Sequence, residues 1–373
     1  MNEAIYMDNN ATTRVDDEVL KEMLPYFTNV YGNASSNLHE FGWKASAAVE
    51  LAGQKLAKLL NCEPAEILFT SGATESVNLA IKGIFETYQT KGNHIITCKT
   101  EHKAVLDTCS YLETKGARVT YLGVDREGRI DLDELRSNIG KDTILVCLMA
   151  ANNETGVLHP LEEISEICNR HQILFFSDAT QYVGKSRCDV KELGVHLLAL
   201  SAHKFHGPKG IGALYVRRKD PRVNILPQLH GGGHQNGKRA GTLNVPLIVG
   251  MGKAAEIASR DYWEINTHVS KLKNHFEHQL LDIEGLRING STRHRLFTTS
   301  NITFPPQKEV KKLLSRFAFS SGSACSSANA EPSHVLKAMG CNEQDIRNTF
   351  RFSFCKYNSL NEVTDLIAYI QRI

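Results

Sequence analysis

The stretch Ile144-Leu145-Val146-Cys147-Leu148-Met149-Ala150 decides the fold. It is apolar at every position, so neither face of it suits water, and it reads as a strand buried on both sides. A helix is predicted over 161–171, and then comes Ile173-Leu174-Phe175-Phe176-Ser177-Asp178, a second apolar run that ends on a carboxylate. Strand, helix, strand, with both strands buried, is the pattern of a parallel sheet covered by helices. Working outward, the alternation continues. Strands are predicted at 66–70, 94–98, 118–124, 197–201 and 211–217, and helices at 75–88 and 104–115. The expectation is an α/β fold with a mostly parallel central sheet, and in such sheets functional groups collect at the carboxyl ends of strands. After Pro246 a long helical stretch is predicted to about Leu281. Beyond it, strands at 286–289, 300–304 and 350–354 alternate with helices at 308–316 and 361–373, which describes a smaller α+β domain.

The bulk chemistry excludes several classes. With 43 basic and 41 acidic residues, the net charge is +2, and nothing electrostatic favours nucleic acid or an anionic membrane as partner. No apolar run reaches the length of a membrane span. The first residues lack a basic region followed by an apolar stretch, so the expected location is the cytoplasm. There are nine cysteines and no Cys-x-x-Cys pair, so free thiols are expected and a metal site is not. Cys98, Cys147 and Cys168 sit in apolar surroundings and read as small buried residues.

Chemistry-bearing residues cluster where the predicted strands end. Lys204 follows strand 197–201 in Ser201-Ala202-His203-Lys204-Phe205-His206-Gly207. A partly desolvated lysine there is placed to form a Schiff base, and Ser201 and His203 are placed to hold a phosphate. Taken alone, such a glycine-rich turn more often holds a solvated lysine. Asp178 closes strand 173–178, where it can pair with a protonated pyridine nitrogen or simply cap a helix. Thr70-Ser71-Gly72-Ala73-Thr74-Glu75 joins a strand to a helix, as a phosphate site or a plain N-cap does. His102 ends the next strand, suited to ring stacking, to proton transfer or to a structural role. Asn153 lies in the turn Asn152-Asn153-Glu154-Thr155-Gly156. Arg351 sits between aromatics in Phe350-Arg351-Phe352, where it can grip a carboxylate bidentately. Cys325 lies in Ser320-Ser321-Gly322-Ser323-Ala324-Cys325-Ser326-Ser327, a run with little to pack. That predicts an exposed, mobile loop with either a nucleophilic or an incidental thiol.

Together with Tyr6 to Thr13, Gly32 to Ser36 and His230 to Val245, these motifs resemble the cysteine desulfurases of the NifS/IscS type, within the class-V aminotransferase-like enzymes of fold-type I. The resemblance spans nearly the whole chain, and the serine-rich cysteine loop is similar to the group-I form. It implies a large pyridoxal-phosphate-binding domain over 15–260, and a small domain formed by 1–14 and 261–373 that carries the cysteine loop. It implies pyridoxal 5'-phosphate held covalently by Lys204, with Asp178 on the ring nitrogen and Gln181 on the phenolic oxygen. Ala73, Thr74, Ser201 and His203 would bind the phosphate, joined by Thr242 from the neighbouring subunit of a homodimer. His102 would stack on the ring and move protons, and Asn153 and Arg351 would orient L-cysteine. The reaction implied is conversion of L-cysteine to L-alanine, with the sulfur left as a persulfide on Cys325. An iron–sulfur scaffold of the NifU/IscU kind, or another sulfur acceptor, would then receive it.

Departures from the family pattern are specific. Ala34 stands where a proline is usual, the stretch between Phe304 and Cys325 is several residues short, and Cys355 adds a thiol near Arg351. Selenocysteine lyase, another class-V enzyme and a non-catalytic scaffold homologue are the competing readings. Cys325 speaks against an aminotransferase. The joint presence of Lys204, Asp178, His102 and Cys325 speaks against a scaffold.

Overall fold

The computed structural model describes residues 4–321 and 332–373. Its centre is a seven-stranded sheet in the order Ile67–Thr70, Gly212–Val216, Leu197–Ser201, Leu174–Asp178, Thr143–Cys147, His94–Cys98, Arg118–Leu122. Gly212–Val216 runs antiparallel to both neighbours, and the other pairings are parallel. Successive residues along these strands enter opposite cores. Ile96, Val146, Phe175 and Leu198 pack on one face, while Ile95, Leu145, Phe176 and Leu197 pack on the other. That alternation is the geometry of a strand covered on both sides, and it is why these segments are apolar throughout.

The run read as a strand over 144–150 leaves the ladder at Cys147. Leu148, Met149 and Ala150 remain buried, and Leu148 N and Ala150 N donate to Phe176 O and Asp178 O at 3.1 and 2.9 Å. Apolarity therefore reported burial beyond the strand's end. The helical stretch expected from Pro246 to Leu281 is two helices, Val245–Arg260 and Tyr262–Leu280, broken at Asp261. A further helix, Glu40–Leu60, adds Leu56 and Leu60 to the first core and ends on Asn61 in the left-handed conformation (φ 53°).

A second, four-stranded sheet follows the order Ser320–Ser321, Thr349–Ser353, Thr299–Thr303, Arg287–Ile288, antiparallel throughout. Its core gathers Phe276, Phe304, Phe317, Phe352 and Phe354 with Ile370 of the last helix, Leu360–Arg372. Met7 joins this core, and Ile5–Tyr6 pairs in parallel with Phe317–Ala318. The helix expected over 308–316 is a 3-10 segment, Val310–Ser315. Ser320 and Ser321, expected in a mobile loop, form a short strand against Arg351 and Phe350, and Ser320 is buried. Among the described residues, no helix is long and apolar enough to cross a membrane, and no cluster of metal-ligating side chains occurs.

Candidate active site

A cavity of about 420 Å³ opens over the carboxyl ends of the large sheet's strands. Four strands of that sheet deliver much of its polar lining. Asp178 is the last residue of its strand, and Ser201 ends the next, so that the 3-10 turn Ala202–Lys204 lifts Lys204 into the cavity. His102 follows strand His94–Cys98 and caps the helix Lys103–Glu113, its Nδ1 accepting from Ala104 N at 3.1 Å. Nδ1 is thereby an acceptor, which places the ring proton of that tautomer on Nε2. Ser71 to Thr74 bridge strand Ile67–Thr70 and the helix Ala73–Tyr88, whose first N–H groups have no intrahelical acceptor. Gly212 lets this turn come close. A Cβ there would stand 2.7 Å from Gly72 Cα.

Arg351 enters from the small sheet. Its Nη1 donates to Asn153 O at 2.9 Å, and its Nη2 donates to Asp8 Oδ1 at 2.7 Å and Ser320 Oγ at 3.1 Å. Thus the expected carboxylate-gripping arginine already holds a carboxylate of its own chain. Lys204 Nζ donates to Asn10 O and Ala11 O at 2.6 and 2.8 Å. His203 Nδ1 lies 3.1 Å from Thr12 Oγ1, and burial, then the charges of Lys204, Lys209 and Lys185, brings its pKa down to about 4. His203 is a neutral imidazole at physiological pH.

Of the residues singled out in the sequence, Ala73, Thr74, His102, Asn153, Asp178, Gln181, Ser201, His203, Lys204 and Arg351 all line this one cavity. Thr242 does not. It is exposed on a loop before the helix Val245–Arg260. Cys325 lies outside the described residues. Cys355 is buried, burial raises its thiol pKa, and it lines a separate small cavity that also touches Lys204 and Lys185.

Sequence reasoning assigned no role to Asn10, yet it is the hub of the site. Its backbone oxygen accepts from Lys204 Nζ and from Gln181 Nε2 (2.9 Å). Its side-chain oxygen accepts from Lys185, and its Nδ2 donates to Asn153 O and Thr299 Oγ1. In the sequence it stands within the Tyr6–Thr13 stretch that carries part of the resemblance, with no role attached to it. Glu101 was also passed over. It is fully buried, its Oε1 accepts from Met149 N at 2.6 Å, and burial, then the charge of Asp178, holds its pKa well above the carboxylate range.

The sequence pattern of the class-V aminotransferases matches residues 5–366. The chain belongs to this family. Among its members, the chain is 49% identical to the cysteine desulfurase IscS of Mannheimia succiniciproducens over 98% of its own length and 92% of that protein's. It is also 49% identical to the cysteine desulfurase IscS of Neisseria meningitidis serogroup A, over 96% and 89%. A solved NifS-like protein superposes with a TM-score of 0.92 at 40% identity, covering 99% of both chains. A protein called SspA, solved in complex with cysteine, superposes with a TM-score of 0.83 at 38% identity, covering 95% of this chain and all of that one.

Class-V aminotransferases use pyridoxal 5'-phosphate, and the cavity fits that group. Thr180 Oγ1 and Arg351 Nε are buried in its wall without partners among the described residues. Such atoms call for a polar occupant. A helix start suits the phosphate, and the Asp178 carboxylate suits a basic ring nitrogen.

Proposed function

We propose that this chain, a pyridoxal-phosphate-dependent cysteine desulfurase, works through the residues gathered over the sheet's strand ends. One observation carries the reading. Lys204, Asp178, His102 and the Ala73–Thr74 helix start reach a single cavity from different strands, with Arg351 facing them from the small sheet. Lys204 is the covalent anchor of the cofactor. Backbone N–H groups of Ala73 and Thr74, with Ser201 and His203, hold the phosphate. Asp178 pairs with the ring nitrogen, and Gln181 donates to the ring oxygen. When bound, the cofactor supplies an electron sink for breaking the substrate's Cα–H bond.

The chain's own groups do the rest. Arg351 and Asn153 orient the carboxylate of L-cysteine, and the planar guanidinium selects that geometry. Asp8 must yield its place on Nη2 to the incoming carboxylate, an exchange of one ion pair for another. The Lys204 amine and the His102 Nε2 move protons at the Cα and Cβ side of the substrate. The Cys325 thiolate attacks the substrate sulfur. The new Cys325 S–S bond forms as the substrate Cβ–S bond breaks, and its electrons leave with the alanine fragment. A homodimer with Thr242 reaching the neighbour's phosphate, a cytoplasmic location and delivery of the sulfur to an iron–sulfur scaffold or another acceptor complete the proposal. The exposure of Thr242 outside its own chain's cavity accords with that assignment.

The test is sulfide and alanine production from L-cysteine with dithiothreitol, on wild type and Cys325→Ser side by side. Equal amounts of both products from the wild type and no sulfide from the variant are expected. Undiminished sulfide from the variant moves the carrier role to another thiol.

A further inference from the structure

Lys185 is a cation-forming residue that pairs with no carboxylate among the described residues. It is 7% exposed, and its amine donates to two amide oxygens, Gln181 Oε1 at 2.6 Å and Asn10 Oδ1 at 3.2 Å. The charged and titratable groups around it are Lys204, Arg351, the imidazoles of His203 and His206, and the thiol of Cys355. Burial, then Lys204 and Arg351, pushes its pKa well below the usual lysine value. Both of its hydrogen bonds run from the amine to an amide oxygen. The backbone is built to deliver it there. In the turn after Asp178, Lys185 N donates to Tyr182 O at 3.0 Å. Gly184 takes φ +78°, where a Cβ would stand 2.5 Å from that of Phe205.

The consequence falls on Gln181. Its Oε1 is held by Lys185, so its Nε2 is turned the other way. One Nε2 hydrogen goes to Asn10 O at 2.9 Å, and the second is left for the cavity that Gln181 lines. A flipped amide would turn its carbonyl against Asn10 O and give up the Lys185 N–H···Oε1 bond, losing both bonds as they stand. We infer that Lys185 is a positioning residue that locks the Gln181 amide so that an N–H, and not the carbonyl, is offered to the cofactor's ring oxygen. This rests on the ring placement proposed above. Lys185 itself need not touch the cofactor; it acts through Gln181. A donor on the ring oxygen stabilises its negative charge and weakens its hold on the neighbouring proton. Its loss therefore raises the pH midpoint of the cofactor's visible absorbance.

The experiment is a pH titration of that absorbance on the purified, cofactor-loaded protein, with cofactor retention on dialysis measured in parallel. Lys185→Met is expected to raise the midpoint by about one pH unit, a tenfold shift in the proton equilibrium. Gln181→Leu is expected to raise it equally, and the double variant no further than Gln181→Leu alone. Lys185→Gln keeps an N–H donor for Oε1 and is expected to stay close to the wild-type midpoint, which also serves if the Met variant does not fold. A silent Lys185→Met beside a shifted Gln181→Leu overturns the role of Lys185 alone. So does a full extra shift in the double variant, or a Lys185→Gln midpoint as high as that of Lys185→Met. An unshifted Gln181→Leu overturns the placement of the ring itself.

Discussion

The two ends of the cavity are built differently. At the end proposed to hold the cofactor, the polar groups stand at strand ends of a sheet buried on both faces, and several of their bonds converge on Asn10. At the substrate end, Arg351 stands on a four-stranded sheet, and its carboxylate partner, Asp8, comes from an N-terminal segment bridged to Ser353. The first end is satisfied from within by amide and carbonyl oxygens. The second is held by an ion pair, which under the proposed function a substrate carboxylate replaces. A site can thus keep one group permanently and exchange another if the permanent one rests on the doubly covered sheet and the exchangeable one on a swappable charge pair.

Breaking the permanent end should cost most. Lys204→Ala is expected to lose the yellow cofactor absorbance and at least ~10³-fold in sulfide release, measured with cofactor added in excess. Cys325→Ser should keep the absorbance and still bind cysteine, seen as a spectral change, while sulfide release falls by at least ~10²-fold. The exchangeable end should respond in KM. Arg351→Lys loses the bidentate geometry, and steady-state kinetics should show KM for L-cysteine raised roughly 10- to 100-fold, from loss of about 1.5–3 kcal/mol of charge-assisted bonding, with the absorbance unchanged. Asp8→Asn should lower KM by a factor of about two to five, because the substrate no longer displaces a competing carboxylate. A rise in KM would mean that Asp8 orients the guanidinium more than it competes for it.

The smallest effect sharpens how the two ends are joined. Asp16 N donates to His206 O beside the lysine turn, and its carboxylate accepts from Lys356 and Tyr357, just past strand Thr349–Ser353. Burial alone would raise its pKa, but those two hydrogen bonds, with a third from Glu18 N and the charge of Lys356, outweigh it and hold the carboxyl at about 2. A depressed folded-state pKa stabilises the fold above the unfolded value of about 4, and the contribution is lost as pH falls towards 2. Asp16→Asn should therefore cost about 1 kcal/mol at neutral pH, with the difference from wild type fading below pH ~4 in denaturant melts.

Much of this was legible in the chain itself. Strands buried on both faces are apolar at every position, so Phe175, Phe176 and their neighbours announced the sheet, and residues just past such strands, Asp178 and Lys204, announced the site. Where burial outlasted the ladder, as at Leu148 to Ala150, apolarity overstated the strand. Where two helices abut at Asp261, periodicity could not separate them. Serine-rich composition likewise concealed the strand at Ser320–Ser321, because pairing with Arg351 and Phe350 comes from a segment some 30 residues away.

Local sequence determined which residues are apolar, which end a strand and which start a helix, since those depend on periodicity and on neighbours one to four positions away. Tertiary structure alone decided that Asn10 would join Lys204, Gln181 and Lys185, that Asp8 would occupy Arg351, and that Lys185 would be buried against two amide oxygens. Those partnerships span from four to more than three hundred positions. Hydrogen bonds and desolvation depend on what packing brings within about 3 Å, and no local pattern records that distance.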